Sequence, residues 1–432
     1  MITFWGSTAA SAVDVTFRLW HDVDFIDADA SVGDDYFTTN STYLAKGAYA
    51  EVRTFPSNVL VDSGTTDAAG KVTFTLASGS QYRVRLYAYH DVGGAGRILF
   101  VQDASETLLY GKSAVYTAPV NNPLPPVDIV YDAAAPGNEW VNVAAAGSWL
   151  IERRPAAFPT FGFNTAMYRV VLDQTPDGGD AGWWPSEMAV YVDPTSEYVR
   201  RKYVIVHELA HGLQHWATVP EGAGAIATQF ASSQSYLAAD GGAQPCPEGS
   251  GHQFTSKEYQ SAAILEGMAD YVAAVAFNNV AQADCRWAPN YLIEWDLAVG
   301  NLEAFSCEGW DDVLFEGDPG GVEFDVFGVR GYDWLGLECL GVGAVDNRGN
   351  ETDWMRFFWD LDTKEGVPFS GIVDNFVEAY PPDWNADDSG DPVDDPRVRL
   401  ELAFATADPA NPADVDYADA WDNQAAYDGV HR

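Results

Sequence analysis

The chain changes its hydrophobic period part of the way along. Val13, Val15, Phe17 and Leu19 alternate with polar neighbours, and so do Val72, Phe74 and Leu76, then Tyr82, Val84, Leu86 and Ala88. Successive side chains of a strand point to opposite faces, so each run predicts a strand buried on one side. Asp67-Ala68-Ala69-Gly70 reads as a turn between two of them. Several short strands at this spacing over residues 13–118 predict an all-β sandwich. The proline-rich run at 118–126 (APVNNPLPP) predicts a semi-rigid linker, drawn over 119–130. Beyond it the period lengthens. Residues 138–153 predict a helix with Trp140, Val141, Ala144 and Trp149 facing inward. Strands are expected at 168–172 and 188–192, followed by helices at 204–216 and 261–275 that are apolar on several sides. Trp354, Phe357, Phe358 and Leu361 recur at i, i+3, i+4 and i+7 and predict a core-facing helix, with another at 372–379. The expected fold class is multidomain: an all-β sandwich module over 13–118, then a mixed α+β domain over 131–432.

Composition narrows the partners. A chain of 432 residues is too long for one ordinary core, in keeping with two domains. A formal net charge of −41 repels nucleic acid and anionic membrane surfaces and argues against both. It fits a secreted or cell-surface protein, or one adapted to salty water. No stretch approaches the ~20 apolar residues of a membrane helix. Ala10-Ser11-Ala12 has the small-residue character of a cleavage site, so residues 1–12 are expected to be the remnant of a signal peptide. Cys246, Cys285, Cys307 and Cys339 contain no C-x-x-C pair, which excludes a cysteine zinc site of that kind. In a secreted chain they are expected as two disulfides, taken in sequence order as 246 with 285 and 307 with 339. A monomer is assumed.

The chemistry concentrates at His207-Glu208-Leu209-Ala210-His211, an H-E-x-x-H sequence inside an apolar helical run. Residues four apart share a helix face, so two imidazoles can hold one metal ion, with Glu208 beside them as a general base. A catalytic zinc site needs three protein ligands and an open position. His215 is too nearly in line on the same helix and reads as a packing residue, as does Gln214. The H-E-x-x-H-x-x-G-x-x-H class is disfavoured because its glycine and last histidine positions hold Gln214 and Ala217. The better third ligand is Glu266, with Asp270 one helical turn further on, in SAAILEGMADYVAAV. A carboxylate within an apolar helix is costly to bury unless it is paired or binds a metal.

These two segments resemble the gluzincin metallopeptidases, in which a glutamate on a second helix completes the H-E-x-x-H site. The resemblance implies that His207, His211 and Glu266 bind Zn2+, that Glu208 is the general base and that Asp270 orients a ligand histidine. It implies a secreted zinc endopeptidase acting on protein or peptide substrates, a glycoprotein among them. The aminopeptidase G-x-M-E-N segment is absent, which favours an endopeptidase. In this family a tyrosine or histidine stabilises the oxyanion; here His252, Tyr259 and Tyr271 are the candidates. Ala189, Val190 and Tyr191 are candidates for an edge strand that pairs with extended substrate, with an internal strand as the alternative. The run at 48–89 resembles the transthyretin-like or immunoglobulin-like accessory modules of secreted enzymes, which implies attachment, spacing or substrate binding.

Three further features stand apart. His21 and His90 occupy similar contexts, RLWHDVD and LYAYHDVG, and could meet on neighbouring strands, where a second metal is conceivable beside the simpler reading of ordinary strand-end histidines. Asp383, Asn385, Asp387, Ser389, Asp391 and Asp394 alternate oxygen donors as a Ca2+ loop does, although Asp388 stands where such a loop has glycine. The glycine- and serine-rich stretch at 218–256 has the length of a lid or specificity loop. Two rival functions remain: a non-catalytic surface-binding protein with a structural zinc, against which the intact Glu208 argues, and a zinc amidohydrolase acting on a non-peptide amide.

Overall fold

The computed structural model describes residues 11–26, 42–91, 98–120, 125–153, 167–184, 186–218, 258–278, 286–287, 305–306, 348–349, 351–380, 396–405 and 417–421. The first part of the chain is all strand: β1 (Ala12–Asp22), β2 (Thr42–Leu44), β3 (Ala48–Thr54), β4 (Leu60–Thr65), β5 (Lys71–Ala77), β6 (Gln81–Asp91), β7 (Ile98–Asp103), β8 (Tyr110–Lys112), β9 (Tyr116–Thr117) and β10 (Val127–Asp132). Helix α1 (Trp140–Arg153) follows, then β11 (Met167–Leu172), β12 (Ala181–Trp184) and β13 (Ala189–Val192). The rest is mainly helical: α2 (Lys202–Thr218), α3 (Gln260–Phe277), α4 (Glu351–Thr363), α5 (Phe369–Ala379) and α6 (Pro396–Ala405). The molecule is mixed α+β, with its sheets early and its helices late.

The alternating positions do what their period demands. Val13, Val15, Phe17 and Leu19 of β1 are all buried, as are Tyr82, Val84, Leu86 and Ala88 of β6. At about 1.5–3 kcal/mol for each large apolar side chain taken from water, such faces dominate the stability of this region. β1 lies in a sheet with β10, β2 and β5; β6 lies in a larger sheet of order β12-β13-β11-β7-β6-β3-β4. Residues from both sheets belong to one continuous core. Phe17 of the first sheet packs edge-on against Tyr116 of the second at 5.2 Å, and the Tyr131 hydroxyl crosses to the Val84 carbonyl at 3.2 Å.

Two boundaries differ from the sequence expectation. Residues 127–130, placed in the linker, and 131–132, placed in the second domain, together form β10, which pairs in parallel with β1 from Phe17↔Val127 to Asp22↔Asp132. The parallel pairing of β7 with β11, from Met167↔Ile98 to Leu172↔Asp103, carries the larger sheet across the expected module boundary. Proline at 125–126 marks a strand entrance here, because an X-Pro dipeptide favours extended backbone as readily as a linker does.

β13 is the other difference. Parallel pairing with β11 on one side and antiparallel pairing with β12 on the other leaves Ala189, Val190 and Tyr191 internal and buried. Among the described residues the sheet ends at β12, so of the two readings of 189–191 the internal strand is the one observed. Four successive apolar residues (AVYV) are what burial on both faces produces, whereas AGWW, with a glycine and three partly exposed positions, suits the next strand out.

Helix α2 carries H-E-x-x-H beneath this end of the sheet. Asp193 does not cap α2 directly. Its carboxylate accepts from the Thr195 N–H and hydroxyl, both at 2.7 Å, and Ser196 then caps a 3₁₀ turn (Glu197–Arg200) by accepting from the Tyr198 N–H at 3.2 Å. Arg201 then takes extended backbone before α2 begins at Lys202. Helix α3 packs between α2 and α4. Its residues Ala269, Tyr271, Val272, Ala273 and Val275 are all buried, so it is enclosed on several sides. The expected stripe Trp354, Phe357, Phe358 and Leu361 is fully buried on α4.

Candidate metal centre

Helical geometry brings His207 and His211 together, and the packing of α3 on α2 brings Glu266 to them. The His207 Nε2 and His211 Nε2 atoms are 3.0 Å apart, and Glu266 Oε2 lies 3.1 Å from the first and 3.0 Å from the second. These three donors are the group among the described residues placed to hold a metal ion. Bonds of about 2.0–2.2 Å set donor atoms roughly 3.3 Å apart around a small tetrahedral ion, close to this triangle.

Hydrogen bonds on the far side of each ring establish which nitrogen is bare. His207 Nδ1 lies 2.7 Å from Asp270 Oδ1. An ionised carboxylate only accepts, so the neutral ring carries its proton on Nδ1 and turns an Nε2 lone pair inward. His211 Nδ1 lies 3.3 Å from Gln214 Oε1, while Gln214 Nε2 donates to the Leu265 carbonyl at 2.8 Å and so fixes which way the amide faces. His211 therefore also presents an Nε2 lone pair. With both rings neutral, two nitrogen lone pairs and a carboxylate oxygen converge, an arrangement that a cation, as a proton or a metal ion, stabilises.

The electrostatics agree. Burial on its own would lower the His207 imidazole, but Asp270, Glu266 and Glu208 outweigh it and hold the ring well above the usual histidine value. For His211, burial likewise works downward, and Glu266 turns the balance upward. The field of the carboxylates favours positive charge at this point, as a proton or as a metal ion.

Glu208 is buried on the same helix, and its Oε2 accepts the Trp183 N–H at 2.8 Å. Trp183 belongs to β12, so the outermost strand of the sheet among the described residues is tied to the acid of the motif. Gly212 makes this approach feasible. A β-carbon there would meet the Trp183 and Tyr168 rings at 3.0 Å, so the absence of a side chain lets α2 sit hard against the sheet.

The other expected residues fall elsewhere. Tyr271 is fully buried, and its hydroxyl donates to Asp362 at 2.9 Å, on the α4 side of α3, while Asp270 faces His207. Adjacent residues on a helix point about 100° apart, so the turn that serves Asp270 carries Tyr271 away from the metal group. Tyr259 lies in a two-residue strand paired with 348–349, and its side chain is outside the described residues, as is that of His215. His252, the four cysteines, residues 1–10 and the Asp383–Asp394 calcium candidates also lie outside them.

Gln214 and Trp183 are the participants that sequence reasoning missed. The i, i+3 spacing from His211 was a usable signal for the glutamine. No local signal marked Trp183, which contributes a backbone group across the sheet–helix interface. No protein-family model matches the chain, and no curated protein matches it.

Proposed function

We propose that the chain is a zinc-dependent peptidase of gluzincin type, acting as an endopeptidase on protein or peptide substrates. The observation that carries the reading is the convergence of His207 Nε2, His211 Nε2 and Glu266 Oε2 with the Glu208 carboxylate on the same helix. Two imidazoles and one carboxylate form a mixed N/O donor set, which suits zinc and leaves a coordination position open for chemistry. When bound, zinc supplies Lewis acidity, polarising a carbonyl and making water ionisable at a pKa of about 7.

The chain's own residues supply the rest. Asp270 and Gln214 hold the two rings in the tautomer that offers Nε2. Glu208 takes the proton of the attacking water. Its Oε2 is engaged by Trp183, which leaves Oε1 to hold that proton and pass it to the leaving amine. The outer edge of β12 offers backbone groups to an extended peptide by strand addition, beside the acid that Trp183 anchors. In this reading the facing sheets of the first part form a sandwich module packed directly onto the catalytic part. The surface charge of −41 suits an enzyme working outside the cell.

The test is cleavage of a mixed peptide library by the zinc-loaded protein beside Glu208→Gln, with bound zinc assayed in both. Cleavage by the wild type alone, at equal zinc content, is expected. Equal cleavage by both proteins, or none by either, overturns the assignment.

A further inference from the structure

We propose that His21 and His90 form a second metal site, which takes one Cu(I) ion between two neutral imidazoles. His21 stands on β1 and His90 on β6, so they meet across the two sheets and not as neighbours in one. Their ring centroids are 5.1 Å apart, and both residues are 0% exposed. Two imidazoles on a near-linear two-coordinate ion, with bonds of about 2 Å, have their centroids roughly 6 Å apart, so the rings would part by about 1 Å to admit it.

Three buried ring nitrogens, Nδ1 and Nε2 of His21 and Nε2 of His90, have no hydrogen-bond partner among the described residues. Buried polar atoms in native proteins are nearly always satisfied, and an unpaired cluster of them calls for a ligand. His90 shows which kind. Its Nδ1 lies 3.1 Å from the Lys46 carbonyl oxygen. A carbonyl only accepts, so the ring proton is on Nδ1 and Nε2 is a bare lone pair. A backbone carbonyl behind the ring and a free Nε2 in front is the arrangement of a metal-ligating histidine.

The surroundings choose the ion. Among the described residues no carboxylate or thiol joins the pair to make a third donor of the metal-binding kind. Tyr43 stacks beside His21 at 6.4 Å, but its hydroxyl is committed to Glu152 at 2.6 Å. Trp140 stands edge-on to His21 at 6.1 Å; its indole N–H, which finds no acceptor among the described residues, cannot ligate. Zinc requires three or four protein donors and calcium six or more oxygens. Imidazole suits copper, and Cu(I) accepts two-coordination while carrying a single charge, which costs least to bury in an aromatic pocket. Burial also keeps the rings in the neutral form that ligates. It pushes His90 down to about 4, against the Lys46 carbonyl, and holds His21 well below the usual value.

The experiment is anaerobic titration of the zinc-loaded full chain with Cu(I) against bicinchoninate, followed by X-ray absorption at the copper edge. One equivalent is expected to be withheld from the chelator, with two nitrogen scatterers and no sulfur. His21→Phe and His90→Phe, checked for folding by circular dichroism, should each lower retention at least about 100-fold, while Glu208→Gln retains it. Should the phenylalanine variants not fold, the wild-type spectrum decides. Sulfur scattering would place copper on cysteine and overturn the site. Failure of the folded wild type to hold copper would overturn it too, leaving an internal water as the occupant.

Discussion

His207 and His211 meet among carboxylates, whereas His21 and His90 meet among aromatic rings. His21, His90 and His207 are buried and His211 is partly so, yet the acid–base behaviour of the two pairs is opposite. Burial works downward on all four. At the first pair Asp270, Glu266 and Glu208 reverse it; at the second nothing does, and the positive charge of one ring would further depress the other. The comparison separates two roles of burial. In a negative field a dry pocket concentrates affinity for cations, and without that field the same dryness enforces neutrality.

The largest effect should come from Glu208→Gln. It removes the proton acceptor while leaving the three donors, so turnover is expected to fall by about 10²–10⁴-fold at unchanged zinc content. Metal analysis after dialysis, run beside the peptide assay, distinguishes this from loss of the ion. Glu266→Ala strikes the field itself. Zinc affinity should drop by more than about 100-fold, beyond what a supporting residue costs. Stoichiometric zinc in that variant would remove Glu266 from the ligand set.

The aromatic pair sharpens the contrast through pH. In the metal-free protein the folded-state value of His90 is about 4, below the 6.5 of the unfolded chain. The unfolded state therefore binds more protons between those values. Stability is full above pH 6.5, falls as pH drops, and the loss is complete below about 4. The depression corresponds to a loss on the order of 3 kcal/mol. His90→Phe should flatten this part of the melting-temperature profile, and an unchanged slope would show that His90 does not set the acid limb.

Positioning residues come next. Asp270→Ala should weaken zinc about 10–100-fold, and Gln214→Ala should lie at the lower end of that range, because its bond to His211 is longer. Competition with a chromophoric chelator measures both. The smallest change is Gly212→Ala. A methyl group forced against the Trp183 and Tyr168 rings costs about 1–3 kcal/mol, which exceeds the roughly 1 kcal/mol gained in helix propensity. A lowered melting temperature is expected, with activity reduced a few-fold as Trp183 is displaced from Glu208.

How much was legible depended on the range of the interaction. His207, Glu208 and His211 could be placed relative to one another from spacing alone, since 3.6 residues per turn fixes positions four apart. Glu266 and Asp270 stood out because carboxylates in an apolar helix demand partners, and the structure supplies those partners in the two histidines. Tyr271 was named for its residue type alone; that its hydroxyl turns to Asp362 depends on its helical phase and on the packing of α4. The twin contexts of His21 and His90 were visible, but their meeting across two sheets was not.

The sequence by itself determined the periods, and with them which segments are strands or helices and which face of each is buried. It also determined two of the three donors, His207 and His211, because residue types at helical spacing carry their own geometry; the packing of α3 on α2 brought the third, Glu266. Tertiary structure alone decided that β10 joins β1, that β7 and β11 carry one sheet across the expected boundary, and that β12 forms the outer edge beside Glu208. Alternation states that a strand has a buried face but does not name its neighbours. Those are chosen by long-range pairing and packing, summed over many weak contacts that no local stretch of chain contains.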